Sequence, residues 1–276
     1  MNQINIKRTL LLLLLPGSVF LLFFFVLPLI FVFVESFQGS AGELTIIRYT
    51  EVLKSEQFHF VYIRTLKIAL IVTPLAVLVA YPGAYIITKM TAGKKSVMMS
   101  LVILPLMTSP VARTFAWIVI LGRFGLINQT LAAARITSEP LRLMYTEGAI
   151  VAGLLQLFMP IMVLTLVSAL ENIPEEVEEA ALSLGSGKTG TFFRVLVPLS
   201  FDGLIMGVTL VFTGCITAYV TPAILGGSKV LTLSTLMRQE ALVLMNWEGA
   251  TVIAVVMIVT TLILYNSLRL MRPRSL

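Results

Sequence analysis

Charge-free apolar runs of bilayer length constrain this chain more than any other feature. A helix needs about 20 mostly apolar residues to cross a hydrocarbon core. Runs of that kind lie at 9–34, 68–88, 96–121, 148–170, 203–226 and 249–268. Only 12% of the residues are charged and 58% are hydrophobic, against about 25% charged in an ordinary soluble domain. A water-soluble fold of this length would lack the polar surface to cover itself. The chain therefore reads as an all-α integral membrane protein with six spans, forming one domain over residues 1–276.

The third run is the least regular. Arg113 interrupts it, and Pro105 and Pro110 each disturb a straight helix. A buried arginine at mid-bilayer costs roughly 2.5–3.5 kcal/mol on insertion scales. The run is thus expected to be bent or broken at its outer end, with Arg113 at an interface or a wet cavity. The first run follows Lys7 and Arg8 as a secretory leader would, but it continues to Val34 with no small-residue cleavage site. It reads as a retained helix.

With both termini inside, Lys7, Arg8, Lys89, Lys94, Lys95, Lys188, Arg194, Arg269, Arg272 and Arg274 face the inner side, half of the 20 basic residues. The raw count is balanced, but the inner half occupies the shorter segments. The positive-inside rule weights short loops and the first helix, which favours N-in, C-in. Between the third and fourth spans, 126–135 is expected to form a short helix on the outer surface. The formal charge of +6 is scattered along the edges of apolar runs, with no dense basic stripe and no interleaved aromatics. It fits topology and lipid headgroups, with no nucleic acid as partner. Cys215 is the only cysteine and His59 the only histidine. Neither a metal-ligand set nor a nucleophile with its base can be assembled around them, so no metal site and no catalytic residue is expected.

One loop departs from this pattern. The segment 171–200 begins with a concentration of carboxylates, which topology does not call for on the inner side. Pro174 suits a first helical position, and Glu175 and Glu176 favour the positive end of a helix dipole. Val177, Ala180, Ala181 and Leu184 recur at helical spacing and form one apolar face; Gly185 and Gly187 supply the stop. A helix of about ten residues is too short to persist alone, so it must dock. Interfacial helices prefer basic polar faces, whereas this one is acidic, so a protein groove suits it better than lipid. Gly187-Lys188-Thr189 mimics the end of a phosphate-binding loop, but Leu182 stands where the motif needs glycine and a helix replaces the strand.

The segment Glu179-Ala180-Ala181, then Gly185, Val195 and Val197-Pro198, resembles the "EAA" signature of permease subunits in binding-protein-dependent ABC importers. The family prefers Ile at 195 and Leu at 197, both conservative departures. Val111 to Trp117, Leu121 to Asn128 and Ala218 to Gly227 are similar to the spermidine/putrescine-type B permease branch. The resemblance implies that the loop helix is a coupling helix, with Glu179, Ala180, Ala181, Leu184, Gly185 and Pro198 at the contact with an ATPase. It implies two copies of an ATP-binding subunit, a second related permease and a periplasmic solute-binding protein, alongside membrane lipid. ATP and Mg would be bound by the ATPase subunits and no cofactor by this chain. The cargo it implies is a small polar solute such as a polyamine or an opine.

Arg113, Gln156, Thr213, Thr217, Tyr219 and Thr221 are the candidates for a translocation path, because polar groups at membrane depth usually face a bundle interior or a wet cavity. Interhelical hydrogen bonding is the equally open alternative. Gly203 and Gly207 permit close helix packing. A secondary transporter or channel without an ATPase would call for intramembrane carboxylate or histidine relays, and none is evident. An intramembrane enzyme lacks its catalytic set. A passive scaffold would leave the docking helix without a purpose.

Overall fold

In lipid the backbone must satisfy its own hydrogen bonds, so apolar runs become helices, and prolines decide where they bend. The computed structural model describes residues 3–38 and 43–270, with side chains from Leu12 onward. The side chains of Lys7 and Arg8, and Arg272 and Arg274 entirely, lie outside the described residues.

Helix α1 (Gln3–Leu21) passes through a π turn at Leu22–Val26 into α2 (Leu27–Glu35). Next come α3 (Ile47–Lys54), the long α4 (Glu56–Thr88), α5 (Ala92–Ile103), α6 (Pro110–Leu121) and α7 (Leu126–Ala133). The 25-residue α8 (Glu147–Glu171) leads to the loop helix α9 (Glu175–Ser183). Then follow α10 (Lys188–Thr191), α11 (Val197–Leu199), α12 (Phe201–Thr217), α13 (Val220–Leu225), α14 (Leu233–Arg238) and α15 (Trp247–Leu270). Among the described residues, β pairing is limited to one bridge, Gln38 with Leu44.

By length and composition, Leu12–Glu35, Glu56–Thr88, Pro110–Ala133, Glu147–Glu171 and Trp247–Leu270 can each cross a membrane. Lys188–Leu199 with Phe201–Thr217 makes a sixth, bent by 71°. The fold is thus all-α with five to six apolar spans.

Three boundaries differ from the sequence expectation. The second span begins at Glu56, well before residue 68, because Arg64 and Lys67 lie inside the helix and pair with Glu147. The third breaks mid-run, not at its outer end. A 3-10 turn at Leu104–Met107 leads to Thr108 and Ser109, both extended (ψ 149° and 129°). Pro110 enforces this at Ser109, since the residue before a proline is pushed out of the helical region. The fifth stops at Thr217 instead of continuing to 226. Pro222 cannot donate to the carbonyl four residues back, on Ala218, and its ring would clash there. The helix breaks at Ala218 (ψ 126°), whose carbonyl instead accepts the Ser234 hydroxyl at 2.6 Å. The short helix expected at 126–135 is α7, closed by Arg135 at φ 55°.

The chain forms two compact units, Met1–Phe58 with Met237–Ile258, and His59–Leu236 with Val259–Leu276. In the first, no side chain between Leu12 and Val34 is buried. Its polar fastening is Arg48, which pairs with Glu248 and, at 3.6 Å, with Glu51; the Ser36 and Tyr49 hydroxyls meet at 2.8 Å. The second unit is built around α8, where Ile150, Leu154, Met162 and Leu166 are fully buried. Helix α12 lies closely against it. A Cβ at Gly203 would fall 2.2 Å from that of Ala169, and one at Gly207 would fall 2.5 Å from the Thr165 hydroxyl. The glycine pair is a packing device, as small residues are where membrane helices approach.

Candidate functional site

The loop helix α9 starts and stops for separate local reasons. Pro174 is its N-cap, with extended ψ 140°, so the helix begins at Glu175 and not at the proline. Glu175, Glu176 and Glu178 fill the first turn, where the helix dipole favours carboxylates. At the other end Ser186 N–H donates to Ala181 and Gly185 N–H to Leu182, at 3.1 and 3.0 Å, with Gly185 at φ +85°. These paired bonds form a Schellman cap, whose left-handed residue suits glycine. Gly187 takes no part in the stop; it is the N-cap of α10.

The exposed side of α9 carries Glu179 and Ala180, and Leu184 at the tip is 89% exposed. Gly185 and, further on, Pro198 are exposed as well, while Val177, Glu178 and Ala181 turn partly inward. Glu178 is held at both carboxylate oxygens: Tyr85 Oη donates to Oε1 at 2.8 Å, and Lys89 Nζ lies 2.6 Å from Oε2. Burial alone would raise its pKa. The hydrogen bonds from Lys89 and Tyr85 and the Lys89 charge outweigh that and hold the carboxyl below its ordinary range. Beside it Lys95 pairs with Glu171, and a pocket of about 290 Å³ separates the two ion pairs.

Residues 188–199 form an elbow against the same end of α4. Phe192 packs edge-on to Tyr81 and Tyr85, with ring centres 5.4 and 5.3 Å apart. The chain passes a π turn at Phe192–Leu196, reaches Pro198 and bends at Ser200. The Ser200 hydroxyl bonds the Leu196 carbonyl at 2.6 Å and meets Tyr81 Oη. A π turn followed by proline is a recognised cause of sharp bends.

The path candidates do not form one cluster. Gln156, exposed in the middle of α8, accepts the Trp117 indole N–H at 2.7 Å. Thr114 and Thr221 are buried, with hydroxyls 3.4 Å apart, so Thr221 packs between helices and lines no open surface. Thr217 is exposed and donates to the Thr213 carbonyl at 2.9 Å. Tyr219 is the exposed N-cap of α13. Arg113 keeps Nε and Nη1 buried without a partner among the described residues, and the Thr213 hydroxyl is in the same state.

Tyr85, Lys89 and Trp117 are site residues that the sequence reading missed. Lys89 counted there only as a topology charge. Tyr85 and Lys89 stand at the end of α4, remote in sequence from the loop 171–200, so the fold and not the sequence brings them to Glu178.

Several known proteins are similar to this chain. Residues 4–275 match the family described as "Binding-protein-dependent transport system inner membrane component". The spermidine/putrescine transport system permease protein PotB of Haemophilus influenzae is 32% identical over 241 residues, which is 85% of this chain and 84% of that protein. Its Escherichia coli counterpart is 28% identical over 234 residues, 83% and 85% of the two chains. A putative 2-aminoethylphosphonate transport system permease, PhnU of Salmonella typhimurium, is 26% identical over 97% of this chain and 94% of its own. A bacterial alginate ABC transporter, solved in complex with a periplasmic protein bound to an alginate pentasaccharide, shares the fold. Its TM-score is 0.79 at 18% identity, over 98% of this chain and 96% of that one. The chain belongs to the family of inner-membrane permease components of binding-protein-dependent ABC importers.

Proposed function

We propose that this chain is one of two related permeases in an ATP-driven importer, working as a single membrane domain oriented N-in, C-in. In that orientation α9 lies in the cytoplasm and serves as the coupling helix. Glu179, Ala180, Ala181, Leu184, Gly185 and Pro198 form or shape its contact with an ATPase subunit. The observation that carries the reading is Leu184: a large apolar side chain, almost wholly exposed, at the tip of a capped helix that also bears carboxylates. Such a helix fits a protein groove far better than an anionic lipid surface.

Two ATP-binding subunits, one per permease, would bind ATP and Mg. Gly187-Lys188-Thr189 opens a four-residue helix that follows another helix, which does not suit a phosphate-binding loop, and in this reading hydrolysis belongs to the ATP-binding subunits. A periplasmic protein would deliver the solute. The ATPase dimer, on closing, would move α9 and reorient the spans around a path to which Arg113, Gln156, Thr213, Thr217 and Tyr219 contribute. The named cargoes of the PotB and PhnU relatives share a primary amine, so the solute is a small amine-bearing polar molecule, polyamines first.

Purification of the tagged chain in mild detergent, followed by reconstitution with the binding protein, tests this. An ATP-binding subunit should be retained, and vesicles should take up putrescine only with ATP. A chain that moves solute alone, without nucleotide, would establish the secondary-transporter alternative instead.

A further inference from the structure

We infer that Glu178 is an internal latch rather than a docking residue, and that α4 is the rod by which movement of α9 reaches the opposite membrane face; this rests on the permease reading above. The acidic cluster divides by geometry. Glu179 points outward, whereas Glu178 turns back and has both oxygens occupied, by Tyr85 of α4 and by Lys89 just past its end. Tyr85 lies in the last turn of α4, and Lys89 is the first residue beyond it, its N–H donating to the Ile86 carbonyl at 3.2 Å. A carboxylate held at two points at the end of α4 resists rotation as well as separation, so displacement of α9 must pull α4 with it.

Helix α4 has 33 residues, about 50 Å at 1.5 Å per residue, which exceeds the roughly 30 Å of a hydrocarbon core. It is continuous across Pro74 and Pro82. Ala69, Val72, Ala76, Ala80 and Ala84 are buried along it and let it pack closely, while Val61, Ile68 and Tyr81 are buried as well and key it into the unit.

At its far end the same device recurs. Glu147, at the start of α8, accepts a hydrogen bond from Lys67 Nζ at 2.8 Å and forms an ion pair, without hydrogen-bond geometry, with Arg64 Nε at 3.3 Å. Arg64 Nη1 also donates to the Leu231 carbonyl at 3.3 Å, and Leu233 N–H donates to the Thr65 hydroxyl at 2.9 Å. One helix therefore carries a two-point carboxylate latch at each end. The near latch takes up α9, and the far latch passes the motion to α8 and to the segment before α14. Glu178, Tyr85, Lys89 and Glu147 are positioning residues in this scheme.

The assembled transporter in proteoliposomes, read as ATP hydrolysed per solute imported, decides the matter. Glu178→Gln should leave ATPase retention unchanged while raising that ratio about tenfold, a size typical of coupling between sites. Glu147→Gln should give the same signature. Tyr85→Phe, which removes a single hydrogen bond and threatens the fold least, should raise it about threefold. Exchanging the charges, Glu178→Lys with Lys89→Glu, should restore part of the coupling through the ion pair alone, since Tyr85 then has no carboxylate at 178 to donate to. A normal ratio in Glu178→Gln overturns the latch, as does loss of the ATPase subunit from that variant, which would make Glu178 a docking contact. Normal coupling in Glu147→Gln overturns the rod. Failure of the unmutated chain to retain any ATPase would remove the permease reading, and the latch with it.

Discussion

Around α9, Glu178, Glu171, Lys89 and Lys95 find partners within the chain, whereas on α6 and α12 Arg113 Nε and Nη1 and the Thr213 hydroxyl are buried without one. A buried polar atom left unpaired costs about 1–3 kcal/mol, more when charged. At α9 the charges on the inward side are paired within the chain, while Glu175, Glu176, Glu179, Ala180 and Leu184 face outward; on the adjoining α10 the Thr191 hydroxyl is buried without a partner among the described residues. On α6 and α12 the unpaired atoms are enclosed, so their desolvation cost stays with the fold. The inward charges at α9 are met within the chain, and among the described residues that of Arg113 is not.

The largest expected effect breaks the α9 side of the contrast. Gly185→Val forces a β-branched residue into a φ of +85°. The left-handed region costs an ordinary residue about 1–2 kcal/mol, and the Schellman cap that aims Leu184 would open. Solute uptake should fall below about a tenth of normal, with the chain still present in the membrane fraction by immunoblot. Normal uptake would show that the tip geometry of α9 does not matter.

Replacing Arg113 sharpens the other side of the contrast. Arg113→Leu removes two buried, unpaired nitrogens, so the purified chain should become more heat-stable, by roughly 1 kcal/mol or more. Uptake should nevertheless drop about tenfold, since an ionisable group kept at membrane depth against its own cost is a functional one. A variant both less stable and fully active would mean that Arg113 is satisfied in the working transporter and serves packing alone. Gln156→Leu is milder. It breaks the 2.7 Å bond from Trp117 and should change uptake about threefold, in line with a net hydrogen-bond worth of about 0.5–1.5 kcal/mol. Retention of the ATPase subunit should not change.

The helical membrane class and the loop helix were legible because they rest on local signals: uninterrupted apolar runs, and Pro174, the carboxylates and Gly185 in succession. The ends of the spans were not. Reading charge-free stretches finds the apolar part of a helix, so it stops at Arg64 and Lys67, although pairing with Glu147 lets α4 continue through both. The break at Ala218 was locally coded by Pro222 four residues on, yet the apolar run around it concealed the proline. Glu178 could not be told from Glu179 by sequence. Both are acidic and adjacent, and only the tertiary placement of Tyr85 and Lys89 separates an inward role from an outward one.

Thr221 provides the smallest and most discriminating test. By sequence it belonged with Thr213, Thr217 and Tyr219 as a path candidate, but the fold buries it against Thr114 with a hydroxyl separation of 3.4 Å. A contact that long is a weak hydrogen bond, and Thr114 already donates to the Pro110 carbonyl at 2.8 Å. Thr221→Val keeps the shape and removes only the hydroxyl, so it should cost less than about 1 kcal/mol of thermal stability and leave uptake unchanged. Thr217→Val, exposed one turn earlier, should lower uptake measurably. If the two variants were to exchange behaviour, the buried face of α13 would be the one solute meets, and the open side of α12 would be the packed one.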